Sequence, residues 1–389
     1  MAIVDWIDTV CFLYVGFFVL YLFVFALLSR FRLYDGYPPA EKTHRIVVLF
    51  PAYQEDETIE PSLRSFLNQE YPRDCYEVVV ISDRMKEETN QRIGCLPVRL
   101  LKVEFENSSK AKALNFAVAY LKNENYDIVV ILDADNTVEP DFLKQINRVY
   151  HAGIKAIQTH RKAKNLNTEI ALLDAVSEEM NNAYFRKGHV YTGLSSALSG
   201  SGMAFDFKWF CANIQYVTTA GEDKELEVLL LKQRIFIEYL DHVHVYDEKI
   251  QSSSAFYKQR QRWLAAQFGS LKRALRDLPH AIFSKNIDYA DKLLQWMMLP
   301  RLLLLGFSFI FSILLFFVQW EWALKWWGLL LLFIVTFGLA IPKELDNARL
   351  EKALRKIPLL FLLMFINLFR LKGVNKKFIH TKHGENNIS

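Results

Sequence analysis

Asp127-Ile-Val-Val-Ile-Leu-Asp-Ala-Asp135 is the stretch on which the fold turns. Its apolar run, Ile128 to Leu132, is short and β-branched, which suits a strand buried on both faces within a largely parallel sheet. The run ends in two carboxylates, Asp133 and Asp135, with Ala134 between them. Ligands of open α/β sheets sit beyond the carboxyl ends of the strands, so these acids face a ligand position. Residues i and i+2 of an extended segment point to one side, and one cation could gather both carboxylates. Sites for magnesium-like ions use one or two carboxylates plus substrate phosphates. A second reading stays open at this point: Asp135-Asn136 can open a turn and cap the helix suggested after Pro140.

Outward from this stretch, strands alternate with helices. Arg45 to Phe50 reads as a strand, with Pro51-Ala-Tyr-Gln-Glu55 as the turn at its carboxyl end. Ile59, Leu63, Phe66 and Leu67 mark one face of a helix. Glu77 to Ser82 and Val98 to Val103 are further strands, the first ending at Asp83. Ala113, Leu114, Ala117, Val118 and Leu121 stripe a second helix, introduced by Ser108, Ser109 and Lys110. This rhythm predicts a doubly wound α/β domain with a parallel or mixed sheet. From Ile154 to Tyr246 the rhythm loosens. Ile170 to Tyr184 reads as helical, Leu198-Ser-Gly-Ser-Gly-Met203 as a small-residue loop that a ligand could approach closely, and Ala220-Gly-Glu-Asp223 as the opening of a helix.

The ends of the chain are of a different character. The 389 residues are 52% hydrophobic, with 30 Phe, and the apolar excess lies at both termini. Val10 to Leu28 carries no charge and is long enough to cross a bilayer. Asp5 and Asp8 argue for a spanning anchor over a cleavable signal. Arg30 and Arg32 follow it, so positive-inside logic places the N-terminus outside and the following domain in the cytoplasm. Ser254 to Leu275, rich in basic and aromatic residues, suits a helix at the membrane interface. Leu302 to Val318 is a second span. Trp320, Trp322, Trp326 and Trp327 form an aromatic belt, and a third span runs to Ile341. Leu359 to Phe369 is short for a crossing, so an interfacial or re-entrant helix stands beside a crossing by length, and the basic tail that follows argues against the crossing. A net charge of +4 and the absence of any recognition motif exclude a nucleic-acid partner. Cys11, Cys75, Cys95 and Cys211 fit no metal spacing and read as reduced thiols.

In order along the chain, these segments resemble the membrane-embedded family 2 glycosyltransferases, the branch that includes cellulose, chitin, hyaluronan and poly-N-acetylglucosamine synthases. Pro51-Ala-Tyr-Gln-Glu55 is similar to the family's P-A-Y-N-E turn, and Asp83 to its first aspartate. Lys110-Ala-Lys-Ala-Leu-Asn115 is similar to G-K-A-x-A-L-N, with Ser109 at the usual glycine and Lys112 as a rival lysine. Asp133-Ala-Asp135 matches D-x-D, Gly221-Glu-Asp223 resembles T-E-D without its threonine, and Gln259-Arg-Gln-Arg-Trp263 fits Q-x-x-R-W.

The resemblance implies a GT-A-type, Rossmann-like mixed sheet inserted between transmembrane helices. It implies a nucleotide-sugar site at Ala52, Tyr53, Glu55, Asp83, Lys110, Asp133 and Arg262. It implies Mg2+ or Mn2+ on Asp133 and Asp135, a catalytic base in Asp223 beside Glu222, and an acceptor side at Gln259, Trp263, Gly200 and Ser201. Phe378-Ile-His-Thr-Lys382 loosely resembles the gating loop of cellulose synthase, or is a plain basic tail.

The chemistry asks for these residue types on its own account. A leaving diphosphate needs charge neutralisation, which a metal or a guanidinium such as Arg262 supplies. The acceptor hydroxyl needs a positioned base. The resemblance therefore implies an inverting transferase that extends a β-linked polysaccharide from a nucleotide-diphosphate sugar, a UDP-sugar by expectation, at a bacterial inner or plasma membrane. The alternative is transfer of one sugar to a lipid, as in ceramide glucosyltransferase. Few spans favour the lipid unless a homo-oligomer or an accessory export subunit adds helices. The expected organisation is an anchor at 1–32, a cytoplasmic catalytic domain at 33–250, interfacial helices at 251–297, a transmembrane hairpin at 298–341, and an amphipathic or re-entrant helix with a basic tail at 342–389.

Overall fold

The computed structural model describes residues 2–219 and 221–370. Its centre is an eight-stranded sheet made of β1 (Ile46–Tyr53), β2 (Tyr76–Asp83), β3 (Arg99–Val103), β4 (Ile128–Ile131), β5 (Thr137–Val138), β6 (Ala156–Ala163), β7 (Met203–Asp206) and β8 (Ile237–Asp247). The strand order is β3-β2-β1-β4-β7-β6-β8-β5. β3, β2, β1 and β4 run parallel. β7 is antiparallel to both β4 and β6, and β5 to β8. The chain winds outward from β1 through β2 to β3, then returns to place β4 on the other side of β1. Such a reversal opens a crevice at the carboxyl ends of the two strands. The turn after β1, Asp83 at the end of β2, and Asp133 just beyond β4 all converge there.

The first four strands are legible because both of their faces are covered. Val47, Leu49, Val79, Ile81, Val129 and Ile131 bury one face under the helices Lys110–Leu121 and Glu222–Lys232. Ile46, Val48, Phe50, Val78, Val80 and Val130 bury the other under Ile59–Phe66 and Phe142–His151. Alternate side chains of one strand thus serve two cores.

Among the described residues three helices are long and apolar enough to cross a membrane, within Asp5–Leu28, Arg301–Val318 and Trp320–Ala340. The third begins six residues before Trp326, so the tryptophans belong to it rather than to a junction. Trp326 is buried against Phe12 and Phe311, and its indole Nε1 donates to Asp8 at 2.7 Å. Asp8 also pairs with Lys325, which ties the first helix to the third. Leu22, Leu304 and Phe333 share one core with Met180 and Tyr184, so the apolar helices are docked on the segment that follows β6.

The Ser253–Ala274 helix occupies the predicted interfacial stretch. Ile357–Leu368 has 12 residues, about 18 Å of helix against a hydrocarbon core of about 30 Å. It packs on Ser253–Ala274 and on Arg301–Val318. A Cβ at Gly306 would lie 2.1 Å from the Phe361 ring, so glycine sets that approach. The motif Phe378–Lys382 lies outside the described residues.

Candidate functional site

A cavity of about 640 Å³ opens over the carboxyl ends of β1, β2 and β4 and continues down to the apolar helices. Pro51, Ala52, Tyr53 and Glu55 form one wall, held by a tight turn in which Gln54 adopts φ +55°. That conformation costs a non-glycine residue on the order of 1 kcal/mol and is kept only where the surroundings enforce it. Here the Gln54 N–H donates to the Asp83 carbonyl at 3.2 Å. Asp83 lines the same end, nearly fully buried, and its Oδ1 has no hydrogen-bond partner. A buried carboxylate oxygen left unpaired costs roughly 1–3 kcal/mol, which a ligand's donor would recover.

Asp133 and Asp135 follow β4 directly. The Asp133 N–H donates to Ser201 Oγ and to Asn136 Oδ1, both at 3.0 Å. Asp135 accepts the Glu248 N–H at 3.0 Å and the Asn136 amide at 3.2 Å. The Asp135 carboxylate and the backbone of Asp133 are therefore held by a local network before any ligand arrives. Among the described residues no group of three or more His, Cys, Asp or Glu could hold a metal alone. Two carboxylates on a cavity wall do fit a hard cation whose other ligands are phosphate oxygens and water.

Lys110 opens its helix beneath a cap in which Ser109 Oγ accepts the Lys112 N–H, the position where glycine was expected. Its ammonium pairs with Asp133, donates to the Gly200 carbonyl at 2.6 Å and stands 3.6 Å from Glu222 Oε1. Lys112 turns away to the Asn107 carbonyl at 2.6 Å. Burial opposes the Lys110 charge, but Asp133 and Glu222 outweigh it and hold its pKa above the usual lysine value. Gly200 and Gly202, at φ +85° and +64°, shape the loop. A Cβ on Gly202 would fall 2.3 Å from Thr159 Oγ1, so this loop needs glycine to close on β6. Ser201 is placed differently from the acceptor position expected of it. It is fully buried, with its hydroxyl bonded to Asp133 and Asn136, and so supports the carboxylate loop from behind.

Glu222 and Asp223 begin the Glu222–Lys232 helix, where the dipole favours acids. Glu222 is buried, and burial together with the Asp223 charge pushes its pKa up to about 7 against the pull of Lys110. Gly221, in place of threonine, allows a close helix crossing, since a Cβ there would meet Ala266 at 3.2 Å. That crossing brings Gln259, Arg262 and Trp263 to the cavity wall. Burial lowers the Arg262 pKa while Glu222 and Asp133 raise it, which puts the guanidinium in the field of both acids. Arg260 pairs with Asp174 at 2.6 Å and stacks on Trp263 at 4.2 Å, fixing the indole. Gln259 Oε1 is buried without a partner.

The cavity wall also holds charges that the sequence reading missed. Arg161 on β6 pairs with Asp247 at 2.5 Å and donates to the Ser199 carbonyl at 2.7 Å. Arg186 meets Glu178, and Lys292 meets Glu227, each at 2.8 Å. A signal was present: Asp174, Glu178, Asn182 and Arg186 recur every fourth residue along the helical stretch, and all four are buried. Beyond these charges the cavity becomes apolar, between Leu302, Leu305, Phe337, Ile341, Leu360 and Met364.

Known proteins match this arrangement. The family described as "Glycosyltransferase like family 2" matches residues 44–266, more than half of the chain. A β-monoglucosyldiacylglycerol synthase of Trichormus variabilis is 24% identical over 230 residues, covering 56% of this chain and 48% of its own length. A poly-β-1,6-N-acetyl-D-glucosamine synthase of Staphylococcus aureus is 25% identical over 160 residues, covering 40% of this chain and 38% of its own. The chain thus spans less than half the length of these relatives. A mannosyltransferase from Pyrobaculum calidifontis, solved with GDP-mannose and Mn2+, has the same fold, with a TM-score of 0.54 at 16% identity over 85% of this chain and 98% of that one. With its mixed sheet, its carboxylate-lined crevice and this match, the chain belongs to the family 2 glycosyltransferases.

Proposed function

We propose that the protein moves one hexose, with inversion, from a nucleoside-diphosphate sugar to a lipid held in its membrane part. The observation that carries this reading is the continuity of one cavity from Asp83, Asp133 and Asp223 to Leu302, Phe337 and Leu360. Glycan hydroxyls in such an apolar slot would lose hydration without partners, at roughly 1–3 kcal/mol each, whereas acyl or prenyl chains gain there. The complete Gln259-Arg-Gln-Arg-Trp263 motif supports the second reading, extension of a β-linked polysaccharide.

In the proposed reaction the donor's base lies at Asp83 and the turn after β1. Its diphosphate lies beside Lys110, Arg262 and Asp133. Charge neutralisation on that diphosphate is the chemistry that a Mg2+ or Mn2+ ion on Asp133 and Asp135 supplies. Trp263 presents a flat apolar face to the acceptor end. The acceptor oxygen attacks the anomeric carbon and forms the new glycosidic bond. Its proton passes to the Asp223 carboxylate. The bond from the anomeric carbon to the diphosphate oxygen breaks, and the nucleoside diphosphate leaves with the electron pair. A single displacement inverts the anomeric centre. Glu222, close to Lys110 and Arg262, in its ionised form balances two cations that would otherwise repel.

The test is a solvent partition. Purified protein in lipid nanodiscs receives UDP-glucose or UDP-N-acetylglucosamine with a labelled sugar. Label in the organic phase supports the lipid reading; label in an alcohol-insoluble polymer supports the polysaccharide reading and overturns the first.

A further inference from the structure

The acceptor's chemistry can be narrowed further, on the premise that it is a lipid. Among the described residues, the buried and half-buried basic side chains of the cavity wall have carboxylate partners in nearly every case: Lys110 has Asp133, Arg161 has Asp247, Arg186 has Glu178, Arg260 has Asp174 and Lys292 has Glu227. Arg301 differs. Its Nη2 donates only to neutral oxygens, Asn181 Oδ1 at 2.8 Å, the Ser177 carbonyl at 3.2 Å and Ser177 Oγ at 3.4 Å. Its Nη1 is buried with no partner. Tyr184 and Phe185 lie against the guanidinium at 5.1 and 5.9 Å, contacts that stabilise a cation without neutralising it.

Removing a guanidinium from water costs several kcal/mol unless an anion and its hydrogen bonds replace the water. Arg301 is also held in place rather than left loose. Gln267, on the helix that carries Arg262 and Trp263, donates to the Trp296 and Met298 carbonyls at 3.0 and 2.8 Å and so fixes the segment leading to Arg301. Arg301 is the first residue of a membrane-length helix whose next turn, Leu302 and Leu305, lines the apolar slot. An anion at Arg301 would therefore sit where the apolar slot meets the polar half of the cavity. In a bilayer the anion available at that depth is a phosphate ester, and a guanidinium fork suits it.

We propose that the acceptor is a phosphate-bearing lipid and that Arg301 receives its phosphate, with the chains between Leu302, Phe337 and Leu360. Two kinds of lipid share this chemistry, a phosphoglyceride with a free headgroup hydroxyl and a polyprenyl monophosphate.

The experiment offers nanodisc-embedded protein labelled UDP-sugar with phosphatidylglycerol, polyprenyl monophosphate or diacylglycerol as acceptor. One phosphate-bearing lipid is expected to show a KM at least tenfold below that of diacylglycerol. Arg301→Gln should abolish this difference, and Arg301→Lys should retain part of it. Affinity for UDP, measured at the opposite end of the cavity, checks that each variant is folded. Equal use of diacylglycerol and the phosphate-bearing lipids by the wild type overturns the inference and leaves the lipid reading standing. So does a lipid preference that survives in a folded Arg301→Gln. A polymeric product in all three arms overturns both.

Discussion

Lys110 Nζ stands 3.6 Å from Glu222 Oε1, and the same ammonium pairs with Asp133. One cation thus joins the D-x-D loop, the Lys110–Leu121 helix and the helix that opens at Glu222. Lys110 and Glu222 are largely shielded from water, so their mutual attraction is felt more strongly than on a surface. Lys110→Met and Glu222→Gln should therefore be non-additive. A double-mutant cycle on kcat/KM is expected to give a coupling energy of about 1–3 kcal/mol. Additive losses would place the two residues in separate roles.

The raised pKa of Glu222 has a thermodynamic sign. In the folded chain the carboxyl keeps its proton up to about pH 7, whereas the unfolded chain loses it near the ordinary value of 4.5. Between those limits the folded state binds more protons, so stability falls as pH rises and stays lower above pH 7. For this group alone the loss from pH 5 to pH 8 is on the order of 2 kcal/mol. Glu222→Gln should flatten that slope, which thermal unfolding of wild type and variant at the two pH values measures.

Asp223 is assigned the acceptor's proton. Asp223→Asn should lower kcat by about 10²–10⁴-fold with little change in donor KM, since a base acts in the transition state rather than in donor binding. A variant that loses donor affinity and keeps kcat would move Asp223 to the donor side.

Asp133 and Asp135 are assigned a divalent cation. Chelation should abolish transfer, with recovery on adding Mn2+ or Mg2+. Asp135→Asn should raise the metal concentration needed for half-maximal rate by about 10–100-fold. Transfer that is indifferent to chelation would return the pair to the turn-and-cap role open to it at the start.

How much of this was legible in the sequence follows burial. β1, β2 and β4 are apolar on both faces, and such runs announce themselves. β6 and β8 carry Gln158, His160, Arg161, His244 and Asp247 among their apolar residues, because one of their faces serves polar networks. β6 also shifts register against β8 between Thr159 and His160, which breaks any simple alternation. β7 has four residues, too few for a pattern.

Asp83, Lys110, Asp133, Asp135, Glu222, Asp223, Gln259, Arg262 and Trp263, each within a short motif of the sequence, line one cavity. Ser201 was legible only as part of a small-residue loop, and its inward bond to Asp133 depends on the turn made by Gly200 and Gly202. Arg301 resembled an ordinary membrane-flanking arginine. What sets it apart is the absence of a carboxylate partner among the described residues, a tertiary fact that no local pattern carries.

The central claim, one inverted sugar on one lipid, is tested most directly by the product itself. Mass spectrometry of the lipid extract, with NMR of the anomeric proton, follows incubation of the nanodisc-embedded protein with an α-linked UDP-sugar. The account predicts a lipid carrying a single β-linked hexose. A ladder of sugars on no lipid, or an α-linked product, would contradict it.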